Sequence, residues 1–289
     1  RWEHILNNLN SFIGEVIGTF ILTFFGCSAV ATSVLYPEGL GLFQVAAIWG
    51  IGVTLAIYAT RHLSCAHLNP AVSLAMVIAR RMRAWKLPIY LIAQFIGAFS
   101  AGLVVLGVFS NSIANFETRH HIIRGTADSV RTAMMFGEYF PNPSFPIAFS
   151  DVSLTRGFLI EAIGTFLLVT IIFLLTEDCN VGRPSSDIAP FFIGLTVMAI
   201  ICILGPLTQV GINPARDFGP RLIAYLAGWG EIAIPGPRSG FFTVYIMGPF
   251  VGGSFSGFLF GLILDPLMKR QINIDSCDAR CLSNFRRNQ

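Results

Sequence analysis

The stretch HLNPAVSLAMVIARR, from His67 to Arg81, decides the fold. Its apolar part, residues 71–79, is too short to cross a hydrocarbon core, because a transmembrane helix needs about 20 apolar residues. The stretch carries Asn69-Pro70 at its beginning, and Asn is a preferred N-cap while Pro is favoured at the first helical position. It therefore predicts half a helix that starts inside a hydrophobic protein.

The composition around this stretch is that of an integral membrane protein. Of 289 residues, 54% are hydrophobic and 12% are charged, whereas soluble domains carry about 25% charged residues. So few charges cannot cover the surface of a soluble globule. The formal net charge of +3 is small and indicates no nucleic-acid partner.

Six stretches are long and apolar enough to cross a membrane. They are residues 12–35, 42–60, 87–110, 154–176, 188–205 and 241–264. Short apolar pieces, 71–79 and 222–227, follow the second and fifth of these spans. The polar, proline-broken segment 111–153 is predicted to be an external loop and vestibule wall, with a disordered insert as the alternative.

The two halves of the chain repeat each other. FIGEVIGTF (12–20) aligns with FLIEAIGTF (158–166), which pairs Glu15 with Glu161, and LNPAVSL (68–74) aligns with INPARDF (212–218). Three spans in each half is an odd number, so the second copy must run through the membrane in the opposite direction. Inverted repeats of this kind place the working site near the bilayer midplane, where the repeats meet.

These observations predict the division of the chain and its orientation. The N-terminal segment is 1–10, the membrane domain 11–266 (repeat 1 about 11–110, repeat 2 about 154–266) and the C-terminal tail 267–289. With both termini in the cytoplasm, 12 Lys and Arg residues fall on that side and 7 elsewhere. Because cytoplasmic loops are enriched in these residues, this orientation is favoured.

Asn213-Pro214 predicts a second half helix, which would meet the first one start to start in mid-membrane. Irregular backbone at that depth is tolerated only where it lines a cavity or is buried in protein. Each helix start carries a partial charge of about +0.5, so the pair would repel cations, while the Asn amides could donate to a neutral solute. The segments leading in would present backbone carbonyls to the path; the expected residues are Cys65, Ala66, His67, Gln209, Val210 and Gly211.

At these motifs the sequence resembles the major intrinsic protein family, the aquaporins and aquaglyceroporins. The resemblance covers about residues 12–264, with HLNPAVS, NPARDFGPR and two E-x-x-G-T-F helix starts. It implies an all-α membrane protein with six transmembrane helices, two re-entrant half helices and inverted three-helix repeats, assembled as a homotetramer with a pore in each monomer. It also implies that Glu15 and Glu161 hold the half-helix loops. The pore motifs it implies are Asn69, Pro70, Ala71, Asn213, Pro214 and Ala215.

The resemblance is greatest to the glycerol-conducting branch, which Asp217 and Arg221 match. Aligned from the motifs, the selectivity filter would be Trp49, Ile201, Val210 and Arg216. Trp49 and Arg216 match the branch, whereas Ile201 and Val210 stand where a bacterial facilitator typically has Gly and Phe. Arg216 would bind neighbouring hydroxyls with its fork of donors, and the other three would form an apolar wall.

The expected function is a passive channel for glycerol, water and other small neutral solutes in a plasma or bacterial inner membrane, and not an enzyme. The alternatives are a water-preferring or metalloid/urea-type pore with poor glycerol flux, a secondary transporter and a structural membrane protein. A transporter would need an acidic ion site, for which only Glu15 and Glu161 lie within the spans. Lipid and small solutes are the expected partners beside the other subunits. Neither a cofactor nor a metal is expected, and Cys277-x3-Cys281 is interpreted as reduced thiols in a chain without a disulfide framework.

Overall fold

The computed structural model describes residues 2–36 and 38–271. The regular secondary structure of these residues is all helical, with short 3₁₀ and π segments between or beside the α-helices. The α-helices are α1 Trp2–Leu35, α2 Leu42–Thr60, α3 Pro70–Ile78, α4 Leu87–Arg119, α5 Val130–Ala133, α6 Leu154–Thr176, α7 Ala189–Thr208, α8 Pro214–Ala224, α9 Gly248–Leu259 and α10 Asp265–Gln271.

Six helical stretches of the described residues are long and apolar enough to cross a membrane. They are Leu6–Leu35, Leu42–Thr60, Ala84–Arg119, Leu154–Thr176, Ala189–Thr208 and Phe241–Arg270. The predicted fold class is confirmed, and the six predicted spans correspond to these stretches one by one. Four predicted ends were too short, because α1 begins at Trp2, α4 continues to Arg119, α7 continues to Thr208 and the sixth stretch continues to Arg270.

The two half helices begin where the sequence predicts. The Asn69 side chain accepts a hydrogen bond from the Ala71 amide at the start of α3, and Asn213 accepts from Ala215 and Arg216 at the start of α8. Both helices have proline at the first position, where no N–H is needed. The apolar piece 222–227 lies at the end of α8 and in the π segment Tyr225–Trp229, because charged residues occupy the first turns of this helix.

The helices pack as two interlocked copies of one arrangement. In the first half α1 packs against α2 and α4, and in the second half α6 packs against α7 and α9. Each half helix then packs on the last long helix of the other half, α3 on α9 and α8 on α4. The helices α2 and α7 approach closely at Gly50 and Gly194, since a Cβ on Gly50 would lie 2.6 Å from the Gly194 carbonyl oxygen. The pore therefore forms between halves that cannot be separated without exposing both.

The segment 111–153 corrects its prediction in two respects. Residues 111–119 are the last turns of α4 and not a loop. Residues 132–142 form a continuous buried run, so this part is neither a disordered insert nor simply a wall facing solvent. Glu117, although polar, is buried because it accepts hydrogen bonds from Arg124 and Thr132, which extends the helix and fastens the segment to it.

The cysteines differ from expectation at one position. Cys27, Cys65 and Cys202 are free thiols, but Cys179, in the connection between α6 and α7, is disulfide-bonded, where no disulfide was expected. The described residues contain no group of three or more His, Cys, Asp or Glu arranged to hold a metal. Cys277 and Cys281 lie outside the described residues, as does most of the predicted tail.

Candidate functional site

Glu15 folds the segment that leads into α3. This carboxylate is fully buried and accepts hydrogen bonds from the amides of His67 (2.9 Å) and Leu68 (2.7 Å). It also accepts from the Ser64 hydroxyl and the Gln94 amide, both at 2.7 Å. Because its oxygens are occupied by four donors, Glu15 acts as the support of an irregular loop.

Glu161 does the same for the segment that leads into α8. It is buried and accepts from the amides of Gly211 (3.0 Å) and Ile212 (2.7 Å) and from the Thr208 hydroxyl (2.7 Å). The amides it binds lie in the same positions relative to Asn213 as those of His67 and Leu68 relative to Asn69. The two halves that align in sequence therefore also share the same pattern of hydrogen bonds to a buried glutamate.

Both segments contain left-handed backbone at residues with side chains. The φ angles are +48° at Ala66 and +54° at Leu68, and +70° at Val210 and +41° at Ile212. Such conformations cost about 1–3 kcal/mol each and persist only where the surroundings enforce them. Here charge-assisted hydrogen bonds to a buried carboxylate supply that enforcement. Because the amides of the two segments point toward the glutamates, the carbonyls of these segments can point away from the glutamates.

The two asparagines cross between the halves of the chain. Asn69 Nδ2 donates to the carbonyl of Ile212, and Asn213 Nδ2 donates to the carbonyl of Leu68, each at 2.8 Å. An amide nitrogen has two hydrogens, so each asparagine keeps one N–H after this bond. The two remaining donors therefore belong to side chains that are fixed by a cap at Oδ1 and a crossed bond at Nδ2.

One cavity of about 410 Å³ contains both asparagines. Five of the six residues predicted to offer carbonyls line it, together with Leu68 and Ile212. Gln209 is not among the lining residues; its side chain turns outward, where it accepts from the Tyr139 amide and donates to the Met134 carbonyl. The prolines and alanines of the two motifs are buried in the helix starts and do not line the cavity.

The four residues predicted to form the filter all line this cavity. The guanidinium carbon of Arg216 lies 4.0 Å from the centre of the Trp49 ring, a cation–π distance. Trp49 can occupy this place because residue 26 is glycine, where a Cβ would lie 2.1 Å from the indole. Ile201 and Val210 are buried with them. The structure thus brings together one cation and three apolar side chains.

The comparisons with known proteins agree with this arrangement. A family model described as "Major intrinsic protein" matches residues 2–260. The chain belongs to the major intrinsic protein family.

Several relatives of this major intrinsic protein are bacterial proteins named as uptake facilitators for glycerol or propanediol. A glycerol uptake facilitator protein of Pseudomonas aeruginosa is 42% identical over 83% of both chains. That of Escherichia coli is 38% identical over 92% of this chain and 90% of its own. A propanediol uptake facilitator of Salmonella typhimurium is 39% identical over 82% of this chain and 87% of its own.

Among solved structures, the aquaglyceroporin of Plasmodium falciparum superimposes with a TM-score of 0.77 at 26% identity. The match covers 91% of this chain and 99% of that one. The predicted resemblance to the family and to its glycerol-facilitator branch is confirmed. The protein is an integral, multi-pass membrane protein.

One residue beside Arg216, Glu138, was not predicted from the sequence. Its carboxylate forms an ion pair with Arg216, and both side chains are almost completely buried. Burial raises the pKa of Glu138 to about 8, although the charge of Arg216 acts in the opposite direction. When Glu138 is ionised, the positive charge of Arg216 is therefore compensated by a partner from the segment between α4 and α6. No motif identifies that residue, because the segment has no periodicity that indicates which side chain points inward.

Asp217 and Arg221, the two residues that match the glycerol-conducting branch, form a buried ion pair behind Arg216. Arg221 donates to both oxygens of Asp217, at 2.7 and 2.9 Å. Asp217 also accepts from the Glu138 amide at 2.7 Å, and Arg221 donates to the carbonyl of Glu138. Neither residue lines the cavity. Their contacts hold the backbone of Glu138 in place, so the pair determines which carboxylate meets Arg216.

Proposed function

We propose that this protein is a passive channel for glycerol and similar small neutral polyols. The observation that carries the proposal is the single cavity in which the two asparagine side chains and the Arg216–Trp49 pair occur together. It offers hydrogen-bond donors to hydroxyl groups and an apolar wall to the carbon chain. The names of the bacterial relatives support the same substrate class.

Exclusion of cations follows from the charges around the path. The two helix starts each place a partial positive charge of about +0.5 at the asparagines. Near the outer end, Glu138 compensates Arg216 and Asp217 compensates Arg221, so these four side chains sum to zero when all are ionised. We infer that repulsion of cations depends mainly on the helix starts above about pH 8, where Glu138 is ionised, and that Arg216 adds a net positive charge below that pH, where Glu138 is protonated.

Glu15 and Glu161, the two acidic residues within the spans, do not offer a site for coupling to an ion gradient. Glu15 and Glu161 are not among the residues that line the cavity. Their oxygens are taken by the amides and hydroxyls of the pore segments. A carboxylate used in this way cannot release its partners to bind an ion without losing the loop, which favours a channel over a secondary transporter.

Swelling of proteoliposomes in a glycerol gradient, followed by stopped-flow light scattering, tests the proposal. The glycerol permeability should exceed that of protein-free vesicles, rise in proportion to the gradient without saturation and stay unchanged under a proton or sodium gradient. Saturation at millimolar glycerol, or a dependence on either ion gradient, would contradict a passive channel. Sorbitol, a longer polyol, serves as the control for vesicle leakage.

A 1,2-diol is a second candidate substrate. Ile201 and Val210 make the filter more apolar than that of a typical facilitator, and Glu138 occupies part of the arginine fork. A solute with one fewer hydroxyl and a methyl group fits these features, and one relative is named a propanediol facilitator. After subtraction of the protein-free background, a ratio of 1,2-propanediol to glycerol permeability above one would favour the diol.

Assembly and orientation remain proposals. We propose a homotetramer with both termini in the cytoplasm, in a bacterial inner membrane or a plasma membrane. Support for a lipid or subunit environment comes from large apolar side chains on the outer faces of the spans, such as Ile203 and Leu262, which are 72% and 73% exposed. Crosslinking of vesicles and protease access to the C-terminal tail would test the two points separately.

A further inference from the structure

A second cavity, of about 330 Å³, lies beside the end of the pore that is remote from the filter. We call it the side cavity. Its lining residues come from α1, the first pore segment, the α3–α4 connection and α4; they are Asn7, Asn8, Cys65, His67, Arg81, Met82, Arg83, Trp85, Lys86 and Tyr90. Cys65, His67 and Arg81 also line the pore cavity. The side cavity is therefore separated from the pore only by the first pore segment and one arginine.

The charges of the side cavity are all positive. Its lining contains Arg81, Arg83 and Lys86 and no carboxylate. Arg81 has a partner beyond the cavity, Glu177. Among the side chains that the structure describes, those of residues 6–36 and 38–270, no carboxylate forms an ion pair with Arg83 or Lys86.

The neighbouring mouth of the pore is built differently. Each of its three arginines has an acidic partner: Arg61 pairs with Asp187, Arg81 with Glu177 and Arg183 with Asp178. The same end of the molecule thus pairs the cations along the solute path with carboxylates, whereas two cations of the cavity beside it have no acidic partner among the described side chains. This contrast indicates that the side cavity is suited to an anion.

The positions of the cations are defined by backbone hydrogen bonds. The amides of Arg80, Arg81 and Met82 donate to carbonyls at the end of α3, with distances of 3.0, 2.8 and 3.1 Å. The short helix Ala84–Lys86 then leads into α4. Arg83 and Lys86 therefore project from a connection that is tied at both ends.

We propose that the side cavity binds a phosphate group, from a phospholipid headgroup or from a soluble phosphate ester. A guanidinium matches two phosphate oxygens, an ammonium adds a compact charge, and the side-chain amide of Asn7 adds a neutral donor. The volume lies within the range of small-molecule pockets. Trp85, 43% exposed at the rim, is a residue type common at the level of lipid headgroups. Occupancy would place a charge against the segment that carries Cys65 and His67.

The test uses the full-length protein and two probes. Inorganic phosphate is titrated calorimetrically into protein in a zwitterionic detergent, and phosphatidylglycerol retention is measured by native mass spectrometry after release from vesicles of phosphatidylglycerol and phosphatidylcholine. The double variant Arg83→Gln/Lys86→Gln removes the two uncompensated cations. Arg80→Gln is the matched control, because Arg80 is an exposed cation of the same connection that does not line the side cavity.

At least one probe should bind the unmodified protein, and the double variant should weaken that binding by roughly tenfold or more, since charge-assisted hydrogen bonds are lost. The Arg80→Gln variant should bind within about twofold of the parent, because it lies outside the cavity. Binding of phosphate alone identifies a soluble ester as the source, and binding of phosphatidylglycerol identifies lipid. The proposal fails if neither probe binds, if the double variant binds as the parent does, or if Arg80→Gln weakens binding equally. Glycerol permeability should be the same in all variants, which shows that each is folded.

Discussion

The half helices α3 and α8 start with the same three residues, Asn-Pro-Ala, and diverge at the next one. Val72 follows in the first, and Arg216 follows in the second. Both side chains line the pore cavity. Along the first half helix the pore has an apolar side chain, whereas along the second it has an arginine with a carboxylate partner and a second ion pair behind it.

This difference separates the residues that form the path from the residues that select the solute. The parts that repeat are the buried glutamate, the left-handed residues, the asparagine cap and the crossed hydrogen bond. The parts that do not repeat are Arg216, Glu138, Asp217 and Arg221. Discrimination among neutral solutes should therefore be altered by changes in the second set, while changes in the first set should affect folding.

The largest effect should come from Glu161→Gln. Its new NH₂ group would face amide donors, so at least one buried N–H of Gly211 or Ile212 would lose its acceptor. That loss costs about 1–3 kcal/mol, and more where the acceptor is charged. We expect a clear loss of folded protein, measured by size-exclusion chromatography after heating in detergent. Glu15→Gln should cause a loss of similar size; a large difference between the two variants would break the equivalence of the halves.

Gly26→Ala should reduce glycerol permeability strongly without changing any residue of the pore lining. A Cβ at position 26 would lie 2.1 Å from the Trp49 ring, so the indole must move toward the pore or the helices must separate. Such overpacking costs about 1–3 kcal/mol, and relieving it by moving the indole into the pore should lower glycerol permeability by roughly tenfold. Gly107→Ala is the matched control, because nothing lies within 4 Å of its Cβ position. Equal permeabilities of both variants would show that Trp49 does not define the constriction.

Arg216→Val makes the second half helix match the first at this position. The variant leaves Glu138 buried without its cation and widens the filter, so we expect passage of larger polyols, such as five-carbon ones, relative to glycerol. The ratio of the two swelling rates measures the change, and roughly a tenfold increase would equal about 1.4 kcal/mol of lost discrimination. Val72→Ala, the change at the equivalent position of the first half, should leave the ratio nearly unaltered. A parental ratio in the Arg216→Val variant would remove Arg216 from the filter.

The smallest effect should be a pH dependence that arises from the Glu138–Arg216 pair and has no counterpart in the first half. A carboxyl with a pKa of about 8 is protonated below that pH and ionised above it. The ionised form holds Arg216, and the protonated form frees a donor for solute, so glycerol permeability should decrease from pH 7 to pH 9. A decrease of roughly two- to tenfold corresponds to one net hydrogen bond. Glu138→Gln should abolish the dependence, and a decrease that persists in this variant would assign it to another group.

The sequence contains most of the information about the repeating parts and little about the rest. Asn69 and Asn213 identify the helix starts because capping is a local interaction, and Glu15 and Glu161 align because the repeat preserves their spacing. The partner of Arg216 could not be predicted, since Glu138 reaches it through a long connection whose path depends on Asp217 and Arg221. The role of Gly26 could not be predicted either, because it depends on a close contact with Trp49 on another helix.

The fold predictions failed at the ends of helices. The helix α4 continues beyond Ser110 into polar residues, and hydropathy alone stops where apolar residues stop. Glu117 is compatible with a helix there only because Arg124 and Thr132 satisfy it. The position of Gln209 shows the same limit within the site, since the direction of its side chain is set by Tyr139 and Met134 and not by neighbours in sequence.

Because each asparagine donates to a carbonyl of the other half, both halves of the chain are needed to form the centre of the pore. Neither half can shift its loop without disturbing the donor that the other half presents to the solute. Such a junction holds both loops to one shared geometry, whereas the regions farther from it are not constrained in this way. It also implies that, if the two halves were produced as separate polypeptides, the asparagine of each half would not be held in place until the two had assembled.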